Sequence, residues 1–293
     1  MAENGPVLHL STATTWRGGE QQALYLVEGL QARGVANLVV TQPEAPLAER
    51  VRTTGARAIA LRCRGEWDLL ARWKLARLMQ REGAVLLHAH DAHGVTVGGA
   101  AARRAGCPAV CTRRVDFEVR SVKKYARLDR VICISEAIRT VCRNAGLPEE
   151  RLRLVPSGID LARIREAPDR TAAVRQEFAP DKKKPLLLLN VASLTDHKGQ
   201  RYLLEAMPAV LARLPQTQLV IVGTGELEGP LRHQANLLAI DEDVTFAGFR
   251  DDVRTLLKAC DLFVMASHLE GLCTSVMDAM AAGKAVVATA AGG

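Results

Sequence analysis

Short apolar runs alternate with longer stretches whose apolar positions recur at helical spacing, and this rhythm persists along the whole chain. In the first half the pattern predicts strands over Val7–Leu10, Leu38–Thr41, Ala58–Leu61, Val85–Ala89, Ala109–Thr112 and Val131–Ile134. Between them it predicts helices over Glu20–Arg33, Pro46–Thr54, Trp67–Arg81, Val95–Ala105 and Glu136–Ala145. Strands that read as continuous apolar runs, each followed by an amphipathic helix, belong to a parallel sheet covered on both faces.

The rhythm breaks near Pro156-Ser157-Gly158. The charged stretch that follows contains Pro168, Pro180 and the run Lys182-Lys183-Lys184, and reads as a connector with one short helix. The same plan then restarts. Strands are predicted over Leu186–Val191, Gln218–Val222, Val244–Phe246, Leu262–Met265 and Ala285–Ala288, with helices over Lys198–Arg213, Glu228–Leu238, Asp251–Ala259 and Thr274–Ala282. The expected fold class is therefore α/β, with two Rossmann-like parallel-sheet domains facing across a cleft. The expected divisions are a first Rossmann-like domain at 1–160, a connector at 161–184 and a second Rossmann-like domain at 185–293. The second copy of the plan stops soon after a strand, at Gly292-Gly293, which predicts an incomplete second domain.

Composition fits this picture. The chain has 293 residues, 48% of them hydrophobic, which suits two domains of ordinary size. The start lacks the basic and apolar segments of a signal peptide, and no run is long and apolar enough to span a bilayer. These features predict a cytoplasmic protein. Seven cysteines, most in apolar segments, read as reduced core residues. No metal site is expected: Cys107 and Cys111 lack a second pair, and His88, His90, Asp91 and His93 match no standard ligand spacing.

Charge separates the halves. Residues 1–180 carry 28 Lys+Arg against 19 Asp+Glu, whereas residues 181–293 carry 11 against 13. A basic first half points to an anionic partner for that half. Aromatic residues are only 4% of the chain, which speaks against base stacking and nucleic-acid binding. An anionic membrane surface or an acidic acceptor fits as well. The predicted helix at Trp67–Arg81 mixes Arg72, Lys74, Arg77 and Arg81 with Leu69, Trp73 and Leu78, as a membrane-lying helix does, although an ordinary surface helix shares that pattern.

Ligands of open parallel sheets bind beyond the carboxyl ends of the strands, so candidate chemistry is sought there. After the first strand of the second domain comes Ser193-Leu194-Thr195-Asp196-His197-Lys198-Gly199, where Lys198 beside free amides suits a diphosphate. After its fourth strand comes Glu270-Gly271-Leu272-Cys273-Thr274, with Asp278 two turns further on. Gly271 admits close approach, and amides near Leu272, Cys273 and Thr274 suit phosphate; equally, Glu270 and Thr274 suit helix capping. Gly223 and Gly225 resemble a dinucleotide motif. They follow the wrong strand and the third glycine, Gly229, comes late, so a tight turn beside a ligand is the better reading. In the first half, Trp16-Arg17-Gly18-Gly19-Glu20 opens a helix and is expected to face the cleft. His90 after the fourth strand, and Arg113, Arg114 and Asp116 after the fifth, are acceptor-side candidates; paired arginines suit a phosphate or an acidic sugar.

Taken in order, several blocks resemble those of the retaining glycosyltransferases of family 4, which have the two-Rossmann GT-B fold. The resemblance covers the whole chain and is strongest in NVASLTDHKGQ, LVIVGTGELEGPL, VTFAGF, ACDLFVMASHLEGL and DAMAAGKAVVATAAGG. WRGGEQQALYLVEGL, LLHAHDAHG, VICISEAIR and LVPSGID match in the first half. The resemblance implies transfer of a sugar from a nucleotide-sugar, UDP- or GDP-linked, to a glycan or lipid-linked cell-envelope acceptor, as in lipopolysaccharide biosynthesis, with no cofactor or metal. Glu270 and Asp278 fall on the family's Glu-x7-Glu motif, which implies contact with the donor sugar and with its ribose; the second position is here Asp. Lys198 matches a lysine that neutralises the donor diphosphate, while Ser193 stands where the family usually has Arg. Gly18 and Gly19 match the glycine loop facing the diphosphate. Arg113-Arg114 stand near the place of a family cleft histidine. Members continue past the Gly-Gly, which implies a C-terminally truncated chain and an unprotected sheet edge. Three alternatives stay open: a nucleotide-binding fragment without turnover, a sugar-nucleotide epimerase or phosphorylase on the same fold, and a nicotinamide enzyme.

Overall fold

The computed structural model describes residues 5–293, which divide into one compact unit ending at Gly158 and a second from Ile159 to Gly292. In the first unit the chain runs β1 (Val7–Ser11), α1 (Gly18–Gln31), β2 (Asn37–Thr41), α2 (Pro46–Arg52), β3 (Arg57–Ala60), α3 (Leu69–Glu82), β4 (Leu86–Ala89), α4 (Ala92–Ala105) and β5 (Ala109–Arg113). It continues through α5 (Val122–Tyr125), β6 (Arg130–Cys133), α6 (Glu136–Asn144) and β7 (Leu152–Leu154). The strands form a seven-stranded sheet in the order β3-β2-β1-β4-β5-β6-β7. Neighbouring strands pair parallel throughout. β2 is buried at every position, as a strand covered on both faces must be.

Side chains fix the helix starts. The Asp68 carboxylate accepts from the Ala71 amide at 2.9 Å, and Asp91 accepts from the Gly94 amide at 2.8 Å. α3 and α4 both end in a left-handed glycine, Gly83 and Gly106. After β7, the Pro156-Ser157-Gly158 segment is pinned to α1: Gln22 donates to the Gly158 carbonyl at 2.6 Å and accepts from its amide at 3.1 Å. α5 and β7 are too short for their periodicity to register in the sequence.

The second unit contains α7 (Leu161–Glu166), α8 (Thr171–Phe178), β8 (Leu186–Val191), α9 (Gln200–Arg213), β9 (Thr217–Val222), α10 (Glu228–Leu237) and β10 (Val244–Gly248). α11 (Val253–Ala259), β11 (Leu262–Met265), α12 (Thr274–Ala281) and β12 (Ala285–Ala288) complete it. The sheet is parallel, in the order β10-β9-β8-β11-β12, so β12 is an edge strand and Val287 on it is largely exposed.

One expectation is corrected. Residues 161–184 are not a connector with one short helix but two helices built into the second unit. Val174 and Phe178, one turn apart on α8, pack into the same core as Leu187, Leu189, Leu256 and Phe263. Arg175 reaches Asp261 at 2.7 Å, and Glu177 takes Arg250 at 2.6 Å. α7 buries Ile164, and Lys258 donates to the Arg165 carbonyl at 2.7 Å. Flanking prolines and dense charge disguise the stretch, because a helix that buries only one or two residues leaves almost no apolar stripe.

Candidate functional site

In the second unit, β8 is flanked by β9 on one side and β11 on the other. The strand order reverses there, so the loops after β8 and β11 part and leave room beyond the strand ends. Lys198 follows β8 and Glu270 follows β11. Their side chains meet across this point, with Lys198 Nζ 2.6 Å from Glu270 Oε1. Ser267 Oγ donates to the same carboxylate oxygen at 2.8 Å. Glu270 is buried, whereas the lysine keeps about a fifth of its side chain open, 19%.

Backbone geometry makes the meeting. Lys198 ends a single 3-10 turn, Asp196–Lys198, rather than opening the helix, which begins at Gln200. Gly199 between them has φ 65°, and a β-carbon there would lie 2.1 Å from the Ala266 carbonyl oxygen. Only glycine permits this approach of the two loops. The His268 amide then donates to the His197 carbonyl at 3.0 Å, closing the contact. Gly223 and Gly225 act similarly: β-carbons on them would lie 2.0 Å and 2.2 Å from the carbonyl oxygens of Ala192 and Leu194. They hold the loop after β9 against the loop after β8. Ser193, half-buried in that loop, lies 3.3 Å from the Thr195 hydroxyl and accepts from Gln200 at 3.0 Å through its carbonyl.

α12 starts at Thr274 with Cys273 as N-cap, and no side-chain cap hydrogen bond closes its first turn. Gly271, Leu272 and Cys273 bridge Glu270 to this helix start. Burial pushes the Cys273 thiol up, which keeps it neutral. Asp278 is half-buried on α12, and burial pushes its carboxyl up to about 6 against the opposing pull of Arg254. The structure does not bring Asp278 into the Lys198–Glu270–Ser267 cluster. Ser267, Gly199 and Gly292 belong to that cluster without having been singled out in the sequence. A β-carbon on Gly292 would lie 1.6 Å from the Glu270 carbonyl oxygen.

The first sheet has its own reversal point between β1 and β4. Gly18 and Gly19 open α1 after β1, and Glu20 turns back to accept from the Arg17 amide at 3.0 Å. A β-carbon on Gly19 would make only ordinary contact with Arg114, at 3.7 Å, so packing alone does not demand glycine there. After β4, Asp91 accepts from the Thr12 hydroxyl at 2.6 Å, tying the two loops together. Arg114 extends to the His90 carbonyl at 3.4 Å, and burial holds its guanidinium down to about 10 against the pull of Glu20 and Asp91.

Below this point His90 joins two other buried histidines. His9 Nδ1 lies 3.0 Å from His90 Nε2, and His9 Nε2 lies 3.0 Å from Asn37 Oδ1. Asn37 spends its amide hydrogens on the Val35 carbonyl and Gln31, so its oxygen must accept from His9. His9 Nδ1 must then accept from His90, which leaves His90 Nδ1 as a buried lone pair with no partner among the described residues. His88 pairs with Thr112 at 2.7 Å. Burial depresses all three imidazoles, His9 to about 4 and the other two well below the ordinary value. One nitrogen from each ring lies within 4.8 Å of the others, a set that metals use. Yet the His88 and His90 rings stack at 4.2 Å with 26° between planes, so their in-plane lone pairs do not converge on one point. The arrangement is a directed hydrogen-bond chain. His9 was missed in the sequence because it stands alone on β1; only its register opposite His88 reveals it.

Arg113 does not line an open site. Its guanidinium is buried, donating to Tyr125 Oη at 2.9 Å and to the Phe117 carbonyl, so it braces the loop after β5. Asp116 lies half-buried in that loop.

The sequence profile described as "Glycosyltransferase Family 4" matches residues 16–163, and that described as "Glycosyl transferases group 1" matches residues 172–293. The chain is 25% identical over 234 residues to the UDP-Gal:alpha-D-GlcNAc-diphosphoundecaprenol alpha-1,3-galactosyltransferase of Escherichia coli, covering 74% of this chain and 60% of that protein. It is 35% identical over 150 residues to a GDP-mannose-dependent monoacylated alpha-(1-6)-phosphatidylinositol monomannoside mannosyltransferase of Corynebacterium glutamicum, covering 47% of this chain and 38% of that protein. Among solved structures, Anabaena HepE with UDP-glucose superposes with a TM-score of 0.85 over 99% of this chain and 81% of that one, at 23% identity. The two parallel-sheet α/β units thus match the GT-B fold.

Proposed function

Because the chain belongs to glycosyltransferase family 4, we propose that it transfers a sugar from a nucleotide-sugar donor to a hydroxyl of a glycan or lipid-linked cell-envelope acceptor, with retention at the anomeric carbon. The observation that carries this reading is the Lys198–Glu270 pair at the reversal point of the second sheet. Cleaving the sugar–phosphate bond builds negative charge on the departing diphosphate. Lys198 and the first-turn amides of α12 offset that charge where it develops, a means of catalysis that asks for no metal. The anomeric carbon gains positive character, which the Glu270 carboxylate favours. The acceptor's proton passes to the leaving phosphate oxygen. Asp278 is the acceptor for ribose hydroxyls. Gly18 and Gly19, at the start of α1, are further donor-binding candidates in this reading.

The donor is UDP- or GDP-linked in this reading, supported by the UDP-galactose and GDP-mannose named for the two curated relatives and by the UDP-glucose bound in HepE. Both relatives act on lipid-anchored acceptors by name, which supports the acceptor class. No helix among the described residues is long and apolar enough to cross a membrane; peripheral contact with such an acceptor is part of this reading.

Calorimetric titration with UDP, GDP and ADP tests the proposal, on the wild-type chain and on Lys198→Ala. Binding of one nucleotide, weakened about tenfold or more by the substitution, and retained with a chelator present, is the expected result. No binding by any of the three to a folded protein removes the reading. Binding without transfer to any lipid-linked acceptor reduces it to nucleotide recognition.

A further inference from the structure

We propose that the first unit carries a docking face for an anionic lipid bilayer, formed by the start of α3 together with the loop between β5 and α5. The proposal deepens the preceding reading by giving it the place where a lipid-linked acceptor is met, but it stands on separate observations.

α3 has two apolar sides. Ala71, Leu75, Ala76 and Met79 are buried and serve the core. Trp67, Leu69, Leu70 and Trp73 are instead 79%, 72%, 59% and 40% exposed, large apolar side chains that folding leaves unused. The loop after β5 adds Val115 and Phe117, 43% and 48% exposed. The two segments are neighbours: Lys124 Nζ lies 3.2 Å from Glu66 Oε1. The Phe117 carbonyl is held by the buried Arg113 guanidinium, so its ring is presented from a braced loop.

Bases surround these residues. Arg62, Arg64, Lys74, Arg77, Arg120 and Lys123 are all exposed. Arg77 sits over the Trp73 ring at 4.5 Å and Arg72 over the Trp67 ring at 5.5 Å. The acids nearby are largely spent. Glu66 pairs with Lys124, the Asp68 carboxylate takes the Ala71 and Arg64 amides, and Glu82 pairs with Arg57 and Arg81, leaving Asp116 and Glu118. Indole and leucine at the acyl boundary with flexible bases among the headgroups is the arrangement that an anionic bilayer surface rewards. The charge complementarity favours lipid over an apolar protein patch, which would leave so many bases unmatched.

Co-sedimentation of the full chain with vesicles tests this, with tryptophan emission read on the same samples. Phosphatidylcholine vesicles containing phosphatidylglycerol should bind the chain at low salt and shift its emission to the blue; phosphatidylcholine alone should not. The pair Trp67→Ser and Leu70→Ser should lower the bound fraction about tenfold, with melting temperature and nucleotide binding unchanged. Lys74→Gln with Arg77→Gln should weaken binding at low salt only. Equal binding to both vesicle types, absence of binding at low salt, or full binding by Trp67→Ser/Leu70→Ser overturns the proposal. Lipid-free self-association abolished by the same pair also overturns it, by assigning the face to a second copy of the chain. Nucleotide titration of the same preparations separates this failure from failure of the glycosyltransferase reading.

Discussion

Lys198 and Glu270 stand 2.6 Å apart although 72 residues separate them in the chain, and each occupies the loop after one of the two strands that flank the reversal point of the second sheet. The lysine neutralises a nearly buried carboxylate. In the reading proposed above, a donor diphosphate would compete with Glu270 for the ammonium, while Ser267 donates to the carboxylate. Lys198→Met strands that carboxylate and should cost about 2 kcal/mol of stability, less than a fully buried pair because the lysine is partly solvated. Lys198→Met/Glu270→Gln should recover most of that loss while still failing to bind nucleotide. Urea unfolding of the two single variants and the double checks the coupling. Additive effects would show that the pair contributes nothing.

Gly199 brings the pair together without touching either charge. Gly199→Ala places a methyl group against the Ala266 carbonyl at a positive φ, so the two loops must separate. The expected result is a loss of about 2 kcal/mol and about tenfold weaker nucleotide binding. A variant that is destabilised yet binds nucleotide normally would show that the loop contact does not position Lys198.

The carboxyl of Asp278 is near 6 in the folded chain against an ordinary 3.8, because burial disfavours the charged form. The native state therefore holds this proton more tightly than the unfolded one. The resulting stabilisation is complete below about pH 4 and is lost as pH rises through about 6. Asp278→Asn should raise the melting temperature at pH 7.5, by the equivalent of at most about 3 kcal/mol, and should change it little near pH 4. A variant less stable than wild type at both pH values would refute the assignment of burial as the dominant cause.

The histidine chain behaves in the opposite sense. His9 falls to about 4, and His88 and His90 fall well below their ordinary value, because the interior disfavours the imidazolium. The stability they confer by remaining neutral is present above about pH 6.5 and is lost as pH falls from there towards 4. His9→Gln should be destabilised at pH 7.5, where it breaks the link from Asn37 to His90, yet lose less on acidification than wild type does. Denaturant midpoints for both proteins at pH 7.5 and 5 give the comparison. Parallel losses would mean that His9 does not titrate with unfolding.

Most of the fold was legible because its strands are uninterrupted apolar runs: Leu186–Val191, Leu262–Met265 and Ala285–Ala288 are read from the sequence with the bounds they have in the structure. The positions of Lys198 and Glu270 after strands were equally readable, since they depend only on element order. Their contact was not, because it rests on Gly199 meeting a carbonyl 67 residues further along the chain. The adjacent arginines at 113 and 114 look alike in sequence, yet one continues β5 inward to Tyr125 and the other bends towards His90. Strand alternation separates neighbours onto opposite faces, but it does not say which face a partner will occupy. Residues 161–184 misled for the converse reason, since their few buried side chains find partners supplied by β8 and α11.

Those two short helices also settle where this chain can be cut and joined. A hybrid that takes its second half from Pro185 onward would strip Phe178 and Val174 from the face of Leu187, Leu189 and Phe263, leaving an oily wound on an otherwise intact sheet. A hybrid spliced between Gly158 and Ile159 keeps every one of those partners on the same side of the joint. For exchange of second halves between relatives, by design or by genetic recombination, the natural seam precedes the first visible strand of that half by a full pair of helices.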